Sequence, residues 1–150
     1  MTIFDPQKRA GLENRLKSLA ADASPKWGRM NTQQMCCHLS DGFRMALGEK
    51  PTADTSNFFF RTVLRPLVVH VLPFPKNVPT IPELNQDKLG TPATDFESDR
   101  ETLLGYVEKL CSCDEDFKFS PHGKFGPMSR KEWGILAAKH IDHHLKQFGV

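Results

Sequence analysis

At 150 residues, 39% hydrophobic and 25% charged, the chain has the length and balance of one globular domain with its own core, residues 1–150. Its net charge is +2, with no basic run and no basic patch interleaved with aromatics, so no nucleic-acid partner and no electrostatic membrane footprint are expected. The most apolar stretch, Val63 to Phe74, is interrupted by Arg65, Pro66 and His70 and is too short to span a bilayer.

Met1 to Asp5 lack the basic region and apolar run of a secretory signal. A cytoplasmic location is therefore expected, with Cys36, Cys37, Cys111 and Cys113 as free thiols. They form an adjacent pair and a C-x-C, neither with the C-x2-C spacing of a zinc knuckle. Buried small residues explain the first pair better than a redox role does, and two thiolates alone make an incomplete soft-metal site at the second.

The first helix is predicted to begin at Asp5-Pro6, a good N-cap followed by proline at the first helical position, and to end near Asp22. Leu12, Leu16 and Leu19 give its apolar spacing. Pro25 to Met30 reads as a loop. A second helix, capped by Asn31 or Thr32, runs to about Gly48 with Met35, Leu39, Phe43 and Ala46 inward. Between Lys50 and Thr94 lie seven of the 11 prolines. A short helix over residues 57–72, broken or kinked at Pro66, fits there; the prolines oppose regular structure in the rest. The triplet Phe58-Phe59-Phe60 is expected to pack over the helices, the alternatives being the lining of a ligand pocket or a dimer contact, and His70 is expected to be structural. A third helix spans about Asp95 to Cys111. Ser129-Arg130-Lys131-Glu132 has the form of a capping box and opens a fourth, which Gly149 stops. The fold class is all-α: a four-helix bundle with a long proline-rich crossover between helices two and three.

Six histidines are present, three of them in His140-Ile141-Asp142-His143-His144. At about 100° per residue, His140 and His144 fall on the same apolar arc as Trp133, Leu136 and Ala137. His143 falls on its polar border. Residues at i and i+4 lie one turn apart, so two imidazoles can converge on one ion, the spacing of H-E-x-x-H zinc sites. The glutamate of that motif is missing here. On the second helix His38 also faces inward, with Gln34 and Asp41 one turn away and placed to orient its other ring nitrogen. Three histidines from two helices, with one position open, make the layout of a catalytic metal site. The plainer alternative is that inward histidines hydrogen-bond within a core. No residue is an obvious general base; Asp41 is the nearest candidate. Cys37 falls on the polar side of its helix and Cys36 on the inner side. His122, in the loop before the last helix, can reach the mouth of the site or serve that loop alone.

Trp27-Gly28-Arg29-Met30-Asn31, leading into Gln34-Met35-Cys36-Cys37-His38-Leu39, resembles the N-terminal signature of the DinB-like (DinB/YfiT) superfamily, in its branch of uncharacterised domains. Phe125-Gly126-Pro127-Met128-Ser129, Glu132-Trp133 and His140 through Gly149 resemble the C-terminal signature of the same branch. The resemblance implies a four-helix bundle with a crossover between helices two and three. It implies a divalent metal, zinc or nickel, held at the positions of His38, His140 and His144. It further implies a small-molecule substrate, a low-molecular-weight thiol among the candidates, and pairing into a homodimer. The branch commonly has proline after the histidine matching His122. Gly123 stands there instead, a departure expected to change the loop over the site.

The function expected is that of a metal-dependent transferase or hydrolase with a three-histidine site. Gln34, Asp41, His122 and His143 are the candidates to support the ligands or meet substrate. The alternatives are a non-catalytic metal- or ligand-binding bundle and a structural bundle without metal.

Overall fold

A computed structural model describes residues 1–150. The chain is all-helical: α1 (Pro6–Ser18), α2 (Thr32–Leu47), α3 (Phe96–Ser112) and α4 (Arg130–Gln147), with three shorter helical segments between α2 and α3. Its buried hydrophobic residues form one cluster to which all four α-helices contribute, among them Leu16, Met35, Leu39, Leu103, Leu110, Ile141 and Leu145. No helix is long and apolar enough to cross a membrane.

The helix starts follow from side chains that take up free backbone N–H groups. Asp5 accepts from the amides of Gln7 and Lys8, and Asp95 from Ser98. Asn31 with Gln34, and Ser129 with Glu132, close reciprocal capping boxes. Gly48 ends α2 in the left-handed conformation. α1 stops at Ser18, four residues before the end expected from sequence. Leu19 turns extended and is buried, and Arg100 of α3 donates to the carbonyls of Lys17 and Leu19, which a longer helix would occupy.

The crossover departs furthest from expectation. Around Pro66 the backbone widens into two π-helical turns, Phe60–Leu64 and Leu67–Val71, in which Arg65 N–H donates to Phe60 O and Leu72 N–H to Leu67 O. Proline lacks an N–H and its ring crowds the carbonyl four residues back, so the local ladder re-forms with a longer reach. A 3₁₀ turn, Pro82–Leu84, follows. Lys139 of α4 ties this segment down: its ammonium donates to the carbonyls of Val68, Val69 and Leu72 at 2.5, 3.3 and 2.5 Å. The phenylalanine triplet does not pack as expected, for Phe58 is 81% and Phe59 57% exposed. His70 is exposed as well.

Both Cys36 and Cys37 are buried, although the second was expected on the polar side; the Cys37 thiol faces Pro92 O of the crossover. Burial pushes each thiol up to about 12, so neither is a ready thiolate.

Candidate metal centre

Two elements carry the three histidines. His38 lies in the middle of α2, and His140 and His144 are one turn apart on α4. Their ligand atoms all fall within 4.8 Å of one another. The Nε2 atom of His140 is central, 3.0 Å from Nε2 of His38 and 3.1 Å from Nε2 of His144. The two flanking rings are buried and the middle one is half-buried.

The proton positions can be deduced. Nδ1 of His38 lies 2.8 Å from the carbonyl oxygen of Leu84. A carbonyl only accepts, so Nδ1 carries the proton and Nε2 of a neutral ring carries a lone pair. Nδ1 of His144 lies 2.7 Å from Oε1 of Gln147. That amide has a fixed sense, because its Nε2 donates to Trp27 O at 2.6 Å and a flipped amide would set oxygen against oxygen. His144 Nε2 therefore also bears a lone pair.

Between these two lone pairs sits His140 Nε2, with at most one proton to offer. Only one of the 3.0 and 3.1 Å contacts can be a hydrogen bond among neutral rings. Further protonation is opposed. Burial lowers the pKa of all three rings, holding His144 at about 3, and the charges of neighbouring histidines add to the effect on His140 and His144. A divalent ion would resolve the conflict, since the three rings could each turn an Nε2 lone pair to it. Two nitrogens at about 2.0–2.1 Å from a tetrahedral ion would be about 3.3 Å apart, so the two contacts of His140 would widen by a few tenths of an ångström while the outer pair, within 4.8 Å, would draw in around the ion. The donor set thus fits a metal.

The surrounding residues divide by what they touch. The Leu84 carbonyl performs the task that Asp41 and Gln34 were expected to perform. Asp41, 0% exposed, instead binds the loop after Leu84: it accepts from Thr91 N–H at 2.7 Å, Thr91 Oγ1 at 2.6 Å and Gln86 at 3.3 Å, with Lys50 Nζ at 3.3 Å. These partners occupy both oxygens and leave it no role as a general base. Gln34 closes the α2 capping box and donates to Asp87. His143 packs edge-on against Trp27, with ring centres 5.5 Å apart, and is half-buried. His122 belongs to the loop before α4.

Trp27 and Gln147 stand in the two signature stretches but were given no role from sequence, and Phe74 was not singled out. Gln147 lies three residues after His144, one helical turn, and this spacing was a usable signal. It also receives the Lys26 amide on its backbone carbonyl at 2.7 Å. Gly28 belongs to the same contact. Its φ is +78°, and a Cβ there would lie 2.8 Å from the Gln147 amide nitrogen. The Trp27-Gly28 pair thus serves His144 from the other end of the chain. Phe74, from the crossover, stacks on His140 with ring centres 5.1 Å apart and planes 7° from parallel.

The three histidines open onto a cavity of about 750 Å3. Leu64, Val68, Ile81, Phe125 and Leu136 form much of its apolar wall, and Gln34, His122 and His143 reach its lining as well.

The family described as "Protein of unknown function (DUF1569)" matches residues 8–149. No curated protein and no solved structure matches the chain.

Proposed function

The chain belongs to that family of unknown function, and from its site we propose that it holds a divalent ion through Nε2 of His38, His140 and His144, with the cavity receiving a small-molecule substrate beside it. The carrying observation is the pair of 3.0 and 3.1 Å contacts at His140 Nε2, which the available protons cannot both satisfy. Three neutral imidazoles suit zinc or nickel. Such an ion would act as a Lewis acid and lower the pKa of a water or thiol near it. The protein's part is to keep the rings neutral by burial, to aim two of them through Leu84 and Gln147, and to restrict water with Phe74 and the crossover.

Placement in the DinB-like superfamily, as a four-helix bundle with a crossover, rests on the signature residues around His38 and His144 and on the order of the helices. A thiol-dependent transferase or a hydrolase fits this centre. Asp41 is engaged by the loop after Leu84, and Asp87, the carboxylate of the cavity lining, accepts from Gln34, which favours a substrate such as a thiol that needs only the ion to become a nucleophile.

Metal analysis of protein purified without a histidine tag tests the proposal. About one equivalent is expected in the wild type and less than about a tenth in His144→Ala. Metal-free wild type that does not take up added zinc or nickel would sink it.

A further inference from the structure

His122 is held differently from the other histidines. Its backbone closes a small hairpin: His122 N–H donates to Gly126 O at 2.9 Å, and Gly126 N–H donates back at 2.8 Å. Inside that turn, ring atom Nδ1 accepts from the amides of Lys124 at 3.1 Å and Phe125 at 3.2 Å. Amide nitrogens only donate, so Nδ1 bears the lone pair and the ring proton sits on Nε2. The ring is wedged beside Phe125, 4.7 Å between centres and 20° from parallel, and Trp133, at 5.5 Å. Burial, with the charge of Lys124, keeps it neutral down to about pH 4.

This tautomer makes His122 the opposite of the three ligands. Each flanking ligand turns a lone pair toward the site; His122 has only an N–H to offer from Nε2. The ring lines the same cavity, and no protein atom accepts from it. The charges of that lining are two cations, Arg29 and Lys124, against one carboxylate, Asp87. An anionic oxygen is thus favoured there, while the apolar wall suits an apolar body.

The geometry points to His122 Nε2–H as a fixed hydrogen-bond donor to a carboxylate or developing oxyanion on an apolar small molecule bound beside the three histidines. A neutral donor locked by two backbone amides keeps its direction and needs no reorganisation when charge appears on the substrate oxygen. The inference rests on the reading of the cavity as a substrate site, but its test does not depend on the ion.

Nitrogen-detected imidazole NMR on the full chain, metal-free and zinc-loaded, gives the first measurement. The Nε2–H tautomer is expected for His122 at neutral pH, and an Nδ1–H tautomer overturns the proposal. Benzoate, an anion on an apolar ring, is the probe for the second. It should move the His122 Nε2 resonance and bind saturably; failure of either in the wild type overturns the proposal. In His122→Asn the side-chain oxygen can replace Nδ1 as acceptor for the turn, while the Nε2 donor is lost. That variant should stay folded, keep its zinc, and bind benzoate about tenfold more weakly, the usual worth of a hydrogen bond to a charged group. Unchanged affinity in folded His122→Asn is contrary to the assignment, and if that variant fails to fold the wild-type resonances decide. His144→Ala separates the two proposals, since it should lose zinc and retain the His122 response in the metal-free state.

Discussion

Gln147 donates from its amide nitrogen to Trp27 O at 2.6 Å, and this single bond determines which atom of Gln147 meets His144. Gln147→Leu removes the acceptor for the His144 ring. Metal affinity is expected to fall by about 10–100-fold, the usual effect of losing a partner behind a ligating histidine. Gln147→Glu should separate the two roles. Its carboxylate still accepts from Nδ1 of His144, so the ion is retained, but it faces Trp27 O with no proton. Faster amide hydrogen exchange in residues 26–30 with undiminished zinc affinity is the expected pattern. Competition with a chromophoric chelator reads the affinity, and equal behaviour of both variants would contradict the assigned orientation.

Asp41 holds the loop whose Leu84 carbonyl orients His38. Asp41→Ala removes a fully buried carboxylate and leaves the half-buried Thr91 N–H and Lys50 ammonium without that partner. The expected destabilisation is about 3 kcal/mol, within the range for breaking a buried charged network. Urea unfolding measures it, and a midpoint equal to that of the wild type would show that the network carries no stability. Zinc affinity should weaken in the same variant, because the Leu84 carbonyl loses its anchor.

Acid should unfold the metal-free protein through its histidines. His38, His122, His140 and His144 all have pKa values lowered chiefly by burial, His122 to about 4 and His144 to about 3. An unfolded histidine takes up a proton near pH 6.5, whereas these folded ones do not. Below that pH the unfolded state binds more protons, so stability falls as pH falls. Above 6.5 both states are neutral and the contribution disappears. Each group costs on the order of 1 kcal/mol per pH unit between 6.5 and its folded value. Denaturant midpoints at pH 7.5, 6 and 5 should decline steeply in the metal-free wild type. The decline should be shallower in His144→Phe, which removes one of the four groups; equal slopes would contradict it.

Much of the frame was readable from residues whose effect is local. Asp5, Asn31, Asp95 and Ser129 each begin a helix because a short polar side chain reaches an amide two or three residues on, and that reach is a matter of spacing. The i, i+4 pair and an inward His38 were readable for the same reason. Groups that act across the chain left little trace. The Leu84 carbonyl is a backbone atom and has no residue signature, so the nearer Asp41 and Gln34 drew attention instead. The exposed Phe58 and Phe59 were misplaced because apolar composition indicates that a residue favours burial, not that a surface exists to bury it. Pro66 indicated a break, while the wider turns around it depended on how the ladder could re-form.

The division of labour between helices and crossover bears on how such a protein can diversify. The three histidines sit on α2 and α4, while Phe74, Ile81 and Leu84 bring the crossover to the cavity. Loop-closure entropy rises only with the logarithm of length, so doubling a connection costs about 0.6 kcal/mol. Insertions and deletions between residues 50 and 80 would therefore alter the walls that select a molecule while leaving the three imidazoles in register. The chain keeps its imidazole cluster on the helices and the shape of its cavity on the crossover, so the second can be rewritten without touching the first.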